Sequence, residues 1–132
     1  MQIVLCLDDR NGIQFNKRRL SSDASLYNRV LENRIGKLWI APYSAKLFSG
    51  KEICIDEKFL EKADAADTCF VEDLDFMNHI EKVTEIKIYR WNRIYPSDIK
   101  LPEQALCGWS LIEKTDFPGN SHEMITEEKY VR

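Results

Sequence analysis

At 132 residues, 44% hydrophobic and 31% charged, the chain is expected to form one domain, residues 1–132, burying about two-thirds of its unfolded surface without disulfide or metal staples. A formal net charge of −3 excludes a global pull towards nucleic acid or an anionic membrane. No apolar run approaches the ~20 residues that cross a bilayer, and the opening MQIVLCLDDR lacks the basic start of a signal peptide, so a cytoplasmic location is expected.

Residues 1–7 form a nearly continuous apolar run, the pattern of a strand buried on both faces. Asp8, Asp9, Asn11 and Gly12 end it with turn chemistry, and the polar, basic residues 14–19 read as an exposed loop. Ser21 and Ser22 are candidate N-caps of a helix whose apolar face is Leu26, Tyr27, Val30 and Leu31, and Gly36 stands where a C′ glycine ends it. Residues 37–41 are the next strand; Pro42 stops it, and residues 44–48 make one short helical turn. A short strand over 52–55 precedes a helix over 57–63, capped by Asp56 and burying Phe59 and Leu60. Residues 68–71 are another buried strand, and Asp73 caps a helix over 74–83 with Phe76, Met77 and Ile80 on one face. Residues 85–91 alternate as a strand; the last two strands, 107–113 and 124–131, are joined through Phe117-Pro118-Gly119-Asn120. This order predicts an α/β three-layer sandwich with a mainly parallel central sheet and a C-terminal antiparallel hairpin at its edge. Of the four cysteines, Cys6, Cys54 and Cys69 sit in apolar runs, and no two form a CxxC pair, so free buried thiols are expected.

Several short motifs recur in a familiar order. They are Asp9-Arg10-Asn11-Gly12-Ile13-Gln14-Phe15-Asn16, a helix, Gly36-Lys37-Leu38-Trp39-Ile40, Ile86-Lys87-Ile88, Tyr95-Pro96-Ser97-Asp98, Leu101-Pro102, Trp109 and residues 127–130. Their order and spacing resemble the dihydrofolate reductases. Those enzymes carry D-x-N-x-G-I-G-x-N, a helix with the catalytic acid, G-K-x-x-I-M-G-R-x-T, an L-Y-L-T strand, F-x-G-D-T and F-P, a W-x-x-V strand and a closing F-x-x-Y-E-R. The resemblance covers most of the chain, with one deletion of roughly twenty residues after Phe48, and implies a dihydrofolate reductase-like fold.

It does not imply the activity. The family's acid lies beside a Pro-Trp segment and helps protonate the pteridine. Here that segment is Arg18-Arg19-Leu20-Ser21-Ser22, and the only nearby carboxylate is Asp23, whose place at a helix N-terminus the macrodipole explains. The family's phosphate-gripping G-R-x-T corresponds to Pro42-Tyr43-Ser44-Ala45, without the arginine. Its Gly-Gly turn, which lets backbone approach the pyrophosphate, corresponds to Glu72-Asp73, whose charges repel one. No cofactor is therefore expected, and NADPH-dependent reductase activity least of all.

Open α/β sheets bind ligands at the C-terminal ends of their central strands, which makes Cys6, Asp8, Asn11, Tyr27, Tyr89 and Trp91 the candidate lining. The candidate catalytic residues are His122, Asp8 and Asp9, with His122 carried in a Ser121-His122-Glu123 loop; the loop-to-strand junction is the plainer explanation of that triplet. Two distant histidines, His79 and His122, cannot supply the H-x-H-x-D-H cluster of a two-metal nuclease, and no metal site is expected. Arg90-Trp91-Asn92-Arg93 with Arg18-Arg19 has the ingredients of a stacking, phosphate-binding surface, but net acidity favours solvated arginines and a packed Trp91, so nucleic acid is not an expected partner. The expected function is a non-redox small-ligand-binding or regulatory protein. The alternatives are a small reductase or hydrolase using Asp8 or Asp9 with the His122 loop, and a protein-interaction module. A small molecule and a second copy paired as a homodimer are the candidate partners.

Overall fold

The main sheet grows outward from β1 (Gln2–Leu7), which pairs in parallel with β6 (Thr68–Phe70) on one side and β7 (Glu85–Arg90) on the other. The computed structural model describes residues 1–50 and 52–132. β4 (Leu38–Ile40) and β5 (Ile53–Ile55) extend the parallel part, while β9 (Ser110–Phe117) and β10 (Ile125–Val131) form the antiparallel hairpin beyond β7. The order is β5-β4-β6-β1-β7-β10-β9, and a separate small sheet joins β3 (Arg18–Arg19), β2 (Gly12–Phe15) and β8 (Ile99–Lys100). This is the expected mainly parallel α/β sheet with a C-terminal hairpin.

Alternation along β1 divides the core. Ile3, Leu5 and Leu7 face one layer with Cys69, Ile86 and Ile88, covered by Phe59 and Leu60 of α2 (Phe59–Lys62) and Phe76 of a 3-10 segment. Val4 faces the other layer with Leu38, Ile40 and Phe70, covered by Leu26, Tyr27 and Val30 of α1 (Ala24–Asn33). Tyr27, Phe48 and Phe70 meet edge to face there, with centroids 5.0–6.1 Å apart.

Local differences from the sequence reading have local causes. Residues 14–19 are a hairpin, not a loop: Asn16 and Lys17 both adopt positive φ (51° and 62°), the backbone of a type I′ turn that matches strand twist. The N-cap of α1 is Asp23, whose Oδ1 accepts from the Ser25 and Leu26 amides at 2.9 and 3.3 Å. The helix stops at Asn33, before Gly36, which instead turns the chain into β4 at φ +63°. Residues 75–82 form a 3-10 segment broken at His79, not a regular helix. Asp56 and Asp73 each accept an amide two residues on, at 2.8 and 3.0 Å, as side-chain turns ahead of those elements. β9 starts three residues later than expected because Glu103–Leu106 winds into a 3-10 turn. All four thiols are free; Cys69 is buried, Cys6 and Cys54 are half-buried, and Cys107 is exposed.

Candidate functional site

The C-terminal ends of β1 and β6, the start of α1 and the β2–β3 hairpin converge on one cavity. Cys6, Tyr27 and Trp91 line it, with Ile13, Arg19, Ser21, Phe70 and Glu72. It measures about 10 Å³, room for about one water. Three of the six expected lining residues therefore meet. Burial, reinforced by the nearby Glu72 charge, pushes the Cys6 thiol well above its ordinary range, so it lines the space as a neutral group.

Asp8 lies elsewhere in the local hydrogen-bonding scheme. It is fully buried, and its carboxylate accepts from the amides of Arg10, Gly12 and Tyr95 at 2.9, 2.7 and 3.0 Å. Burial opposes ionisation, but the three N–H donors outweigh it and lower the Asp8 pKa. Asp8 thus fastens the β1–β2 turn and the segment carrying Tyr95. Asp9 is exposed, and Asn11 accepts from Arg90 Nη1 at 2.5 Å. Tyr89 is fully buried; its hydroxyl donates to Glu127 Oε2 at 2.6 Å, beside the Arg29 Nε–Glu127 Oε2 ion pair at 2.8 Å. Arg90 pairs with Glu128 at 3.0 Å and Arg19 with Glu72 at 2.8 Å, and Trp91 is buried, so these side chains do not assemble a basic, aromatic surface.

Two of the lining residues, Arg19 and Glu72, belong to one hydrogen-bond network. Arg19 donates from Nε and Nη2 to the two Glu72 oxygens at 2.8 and 3.0 Å, and Ser44 Oγ donates to Oε1 at 2.7 Å. The guanidinium also stacks 4.5 Å from the centre of the Tyr43 ring. Glu72 and Ser44 lie in the two segments, Glu72-Asp73 and Pro42-Tyr43-Ser44-Ala45, that the resemblance aligns with the phosphate-binding motifs. Here the carboxylate itself takes up the available donors.

The second cluster surrounds His122, which is buried and stacked on Trp91 at 4.7 Å with a 28° interplanar angle. Nδ1 lies 3.0 Å from Asp23 Oδ2, and Nε2 lies 2.9 Å from Ser21 Oγ. Because a carboxylate only accepts, the Nδ1 proton points at Asp23, and Nε2 of the neutral ring accepts from Ser21. Tyr95 Oη is 3.2 Å from Nε2 and 3.4 Å from Ser21 Oγ. Asp23 also accepts from the amides of Asn120 and Ser121 at 3.0 and 2.9 Å. Burial would raise its pKa; those amides, the Leu26 amide and the His122 ring hold it far below the usual carboxylate range.

The partners of His122 are thus Ser21, Asp23 and Tyr95, with Ser121 Oγ 3.3 Å from Nδ1. Asp8, Asp9 and Glu123 do not reach the imidazole; Glu123 is exposed. In the sequence Ser21 stands as a candidate helix cap, Asp23 as a carboxylate explained by the helix dipole, and Tyr95 only as part of the Tyr95-Pro96-Ser97-Asp98 motif. The only signal for their meeting was the pairing of a helix start with a hairpin tip, which local pattern does not encode.

No protein-family model and no curated protein matches the sequence. Among solved structures, the chain is similar to a dihydrofolate reductase from Enterococcus faecalis complexed with NADP(H) and RAB-propyl. The TM-score is 0.70 at 11% identity, covering 99% of this chain and 95% of that one. The chain therefore has a dihydrofolate reductase-like fold.

Proposed function

We propose that this protein is a non-redox small-ligand-binding or regulatory protein on a dihydrofolate reductase-like scaffold. Its ligand enters the cleft between β1, β6, the start of α1 and the β2–β3 hairpin. The observation that carries this reading is Glu72, ion-paired to Arg19 and hydrogen-bonded to Ser44. A phosphate placed at this turn meets a carboxylate instead of a bare glycine backbone. The donors a phosphate would need there, the Arg19 guanidinium and the Ser44 hydroxyl, are already held by that carboxylate, and binding would have to break those bonds. The residues present therefore do not fit NADPH. They fit a neutral or cationic ligand whose N–H donors replace the Arg19 guanidinium on Glu72 and open the small cavity behind it.

A titration with NADPH followed by tryptophan fluorescence checks this, since Trp91 lines the cavity. The expected result is no saturable quench. Saturable micromolar quenching would sink the reading. The positive arm is a fragment screen by NMR, in which amidine and guanidine fragments shift Arg19 and Glu72 signals and Glu72→Gln abolishes the shift.

A second reading, pairing of two copies, draws on β9. Its outer edge is unpaired among the described residues, and residues 110–116 are exposed. Antiparallel pairing centred on Thr115 sets Lys114 opposite Asp116 of the second copy twice over, a self-complementary charge arrangement. Light scattering at two concentrations is expected to show a dimer that Lys114→Glu dissociates.

A further inference from the structure

The most specific side-chain arrangement outside the Glu72 network is the line Ser21–His122–Asp23. Each link is at hydrogen-bond distance, 2.9 Å from Ser21 Oγ to Nε2 and 3.0 Å from Nδ1 to Asp23 Oδ2. Ser21 sits just before helix α1, where the chain is not yet committed to helical hydrogen bonds, and its hydroxyl lines the small cavity. The imidazole is held on both edges and on one face: Ser21 and Tyr95 at Nε2, Asp23 at Nδ1, Trp91 against the ring. Asp23 is fixed by two amides of α1 and two of the β9–β10 connection, so the orienting carboxylate does not depend on the histidine for its place. A nucleophile, a base and a carboxylate that sets the base's tautomer are the parts of a serine acyl-transfer site, which is recognised by geometry and not by chain order.

We propose that Ser21, His122 and Asp23 form an acyl-transfer site that hydrolyses esters of short carboxylic acids. Ser21 is the nucleophile, His122 the general base and Asp23 the positioning residue. Ser21 Oγ attacks the ester carbonyl carbon and passes its proton to His122 Nε2. The tetrahedral adduct collapses, the C–O bond to the alcohol breaks, and the departing alkoxide takes the proton from Nε2. Water then attacks the acyl-Ser21 carbonyl, its proton goes to Nε2, and the Ser21 oxygen leaves and is reprotonated. The sum is ester plus water to acid plus alcohol, with no other co-reactant. The Tyr95 hydroxyl, 3.4 Å from Ser21 Oγ, is the donor we assign to the developing oxyanion.

Space sets the substrate class. The cavity at Ser21, about 10 Å³, has room for about one water, so any acyl group must push its lining apart, and acetyl asks for the least displacement. His122 also borders an open cleft of about 270 Å³ with Trp91, Asn92, Arg93, Glu123 and Met124. This inference goes beyond the ligand-binding reading: it shares the small cavity that Arg19 and Glu72 also line, but its chemistry uses neither residue.

The test is 4-nitrophenyl acetate with site-resolved mass spectrometry. The expected result is turnover with an acetyl group trapped on Ser21. Ser21→Ala and His122→Gln are expected to lower the rate at least about a hundredfold, with circular dichroism unchanged for Ser21→Ala. Tyr95→Phe should lower kcat more than it raises KM. Acetylation confined to lysines or Cys107, or a Ser21→Ala protein that is folded and as fast as the wild type, overturns the proposal. Should a variant fail to fold, labelling of the wild-type protein by a fluorophosphonate decides the matter: modification at Ser21 supports it, and modification elsewhere or none at all defeats it.

Discussion

The Asp23 carboxylate serves two elements at once, capping α1 and gripping the β9–β10 connection through Asn120, Ser121 and His122. Asp23→Ala removes both functions. An N-cap loss together with charged buried hydrogen bonds is expected to cost about 3 kcal/mol, measured by urea unfolding. The sign of its pH dependence follows from its lowered pKa. Its contribution is complete above an unfolded value of about 3.9 and is lost as pH falls towards the folded value. Asp23→Asn should therefore flatten the acid limb of the stability curve and leave the alkaline limb alone. Tyr89 poses a smaller question of the same kind. Tyr89→Phe keeps the ring packed against Phe117 and leaves Glu127 its Arg29 partner, so a loss of about 1.5 kcal/mol is expected by the same measurement.

Short elements here owe their form to single residues. Gly36 joins α1 to β4, and a Cβ built on it would lie 2.3 Å from the Ala66 carbonyl oxygen and 2.6 Å from Asp67 Oδ1, at a φ of +63°. Asp67 in turn accepts from the Lys37 amide, the Trp39 indole and the Asp64 amide, so the joint has little room to shift. Gly36→Ala is expected to cost about 2 kcal/mol, more than its left-handed backbone alone demands, read as a fall in Tm. The longer periodic stretches of β1, α1 and β7 could be read from the sequence because each buries a face. The β2–β3 hairpin could not: its turn is Asn16-Lys17 instead of the Asn-Gly that announces a type I′ turn, and β3 is only two residues, both arginine. β8, two exposed residues pairing with β2, is too short to show any period.

Across the molecule, the shifted groups fall into two sets that bound its stability in pH. Asp8, Asp23, Asp67 and Glu127 are held below their ordinary values by amide, indole, ring or guanidinium donors that outweigh burial. Their contributions are present above about pH 4 and fade as pH falls. Cys6, Tyr27, Cys69 and Tyr89 are raised chiefly by burial, Cys69 to about 12. Their contributions are present below the ordinary thiol and phenol range and fade as pH climbs through it. Asp73, raised by burial and by Asp75 and Glu72, works against the first set. Calorimetry is expected to show a flat Tm between about pH 5 and pH 8, with a fall on both sides. From the sequence alone came the α/β order, the parallel core with its terminal hairpin and the mismatch at Glu72-Asp73, because burial patterns and charge at a turn are properties of neighbouring residues. The tertiary structure alone decided which groups meet. Ser21 and His122 are 101 residues apart, and they touch because β10 pairs with β7 and carries the hairpin tip onto the start of α1. Sheet order and strand register fix that contact, and neither is written in any local periodicity.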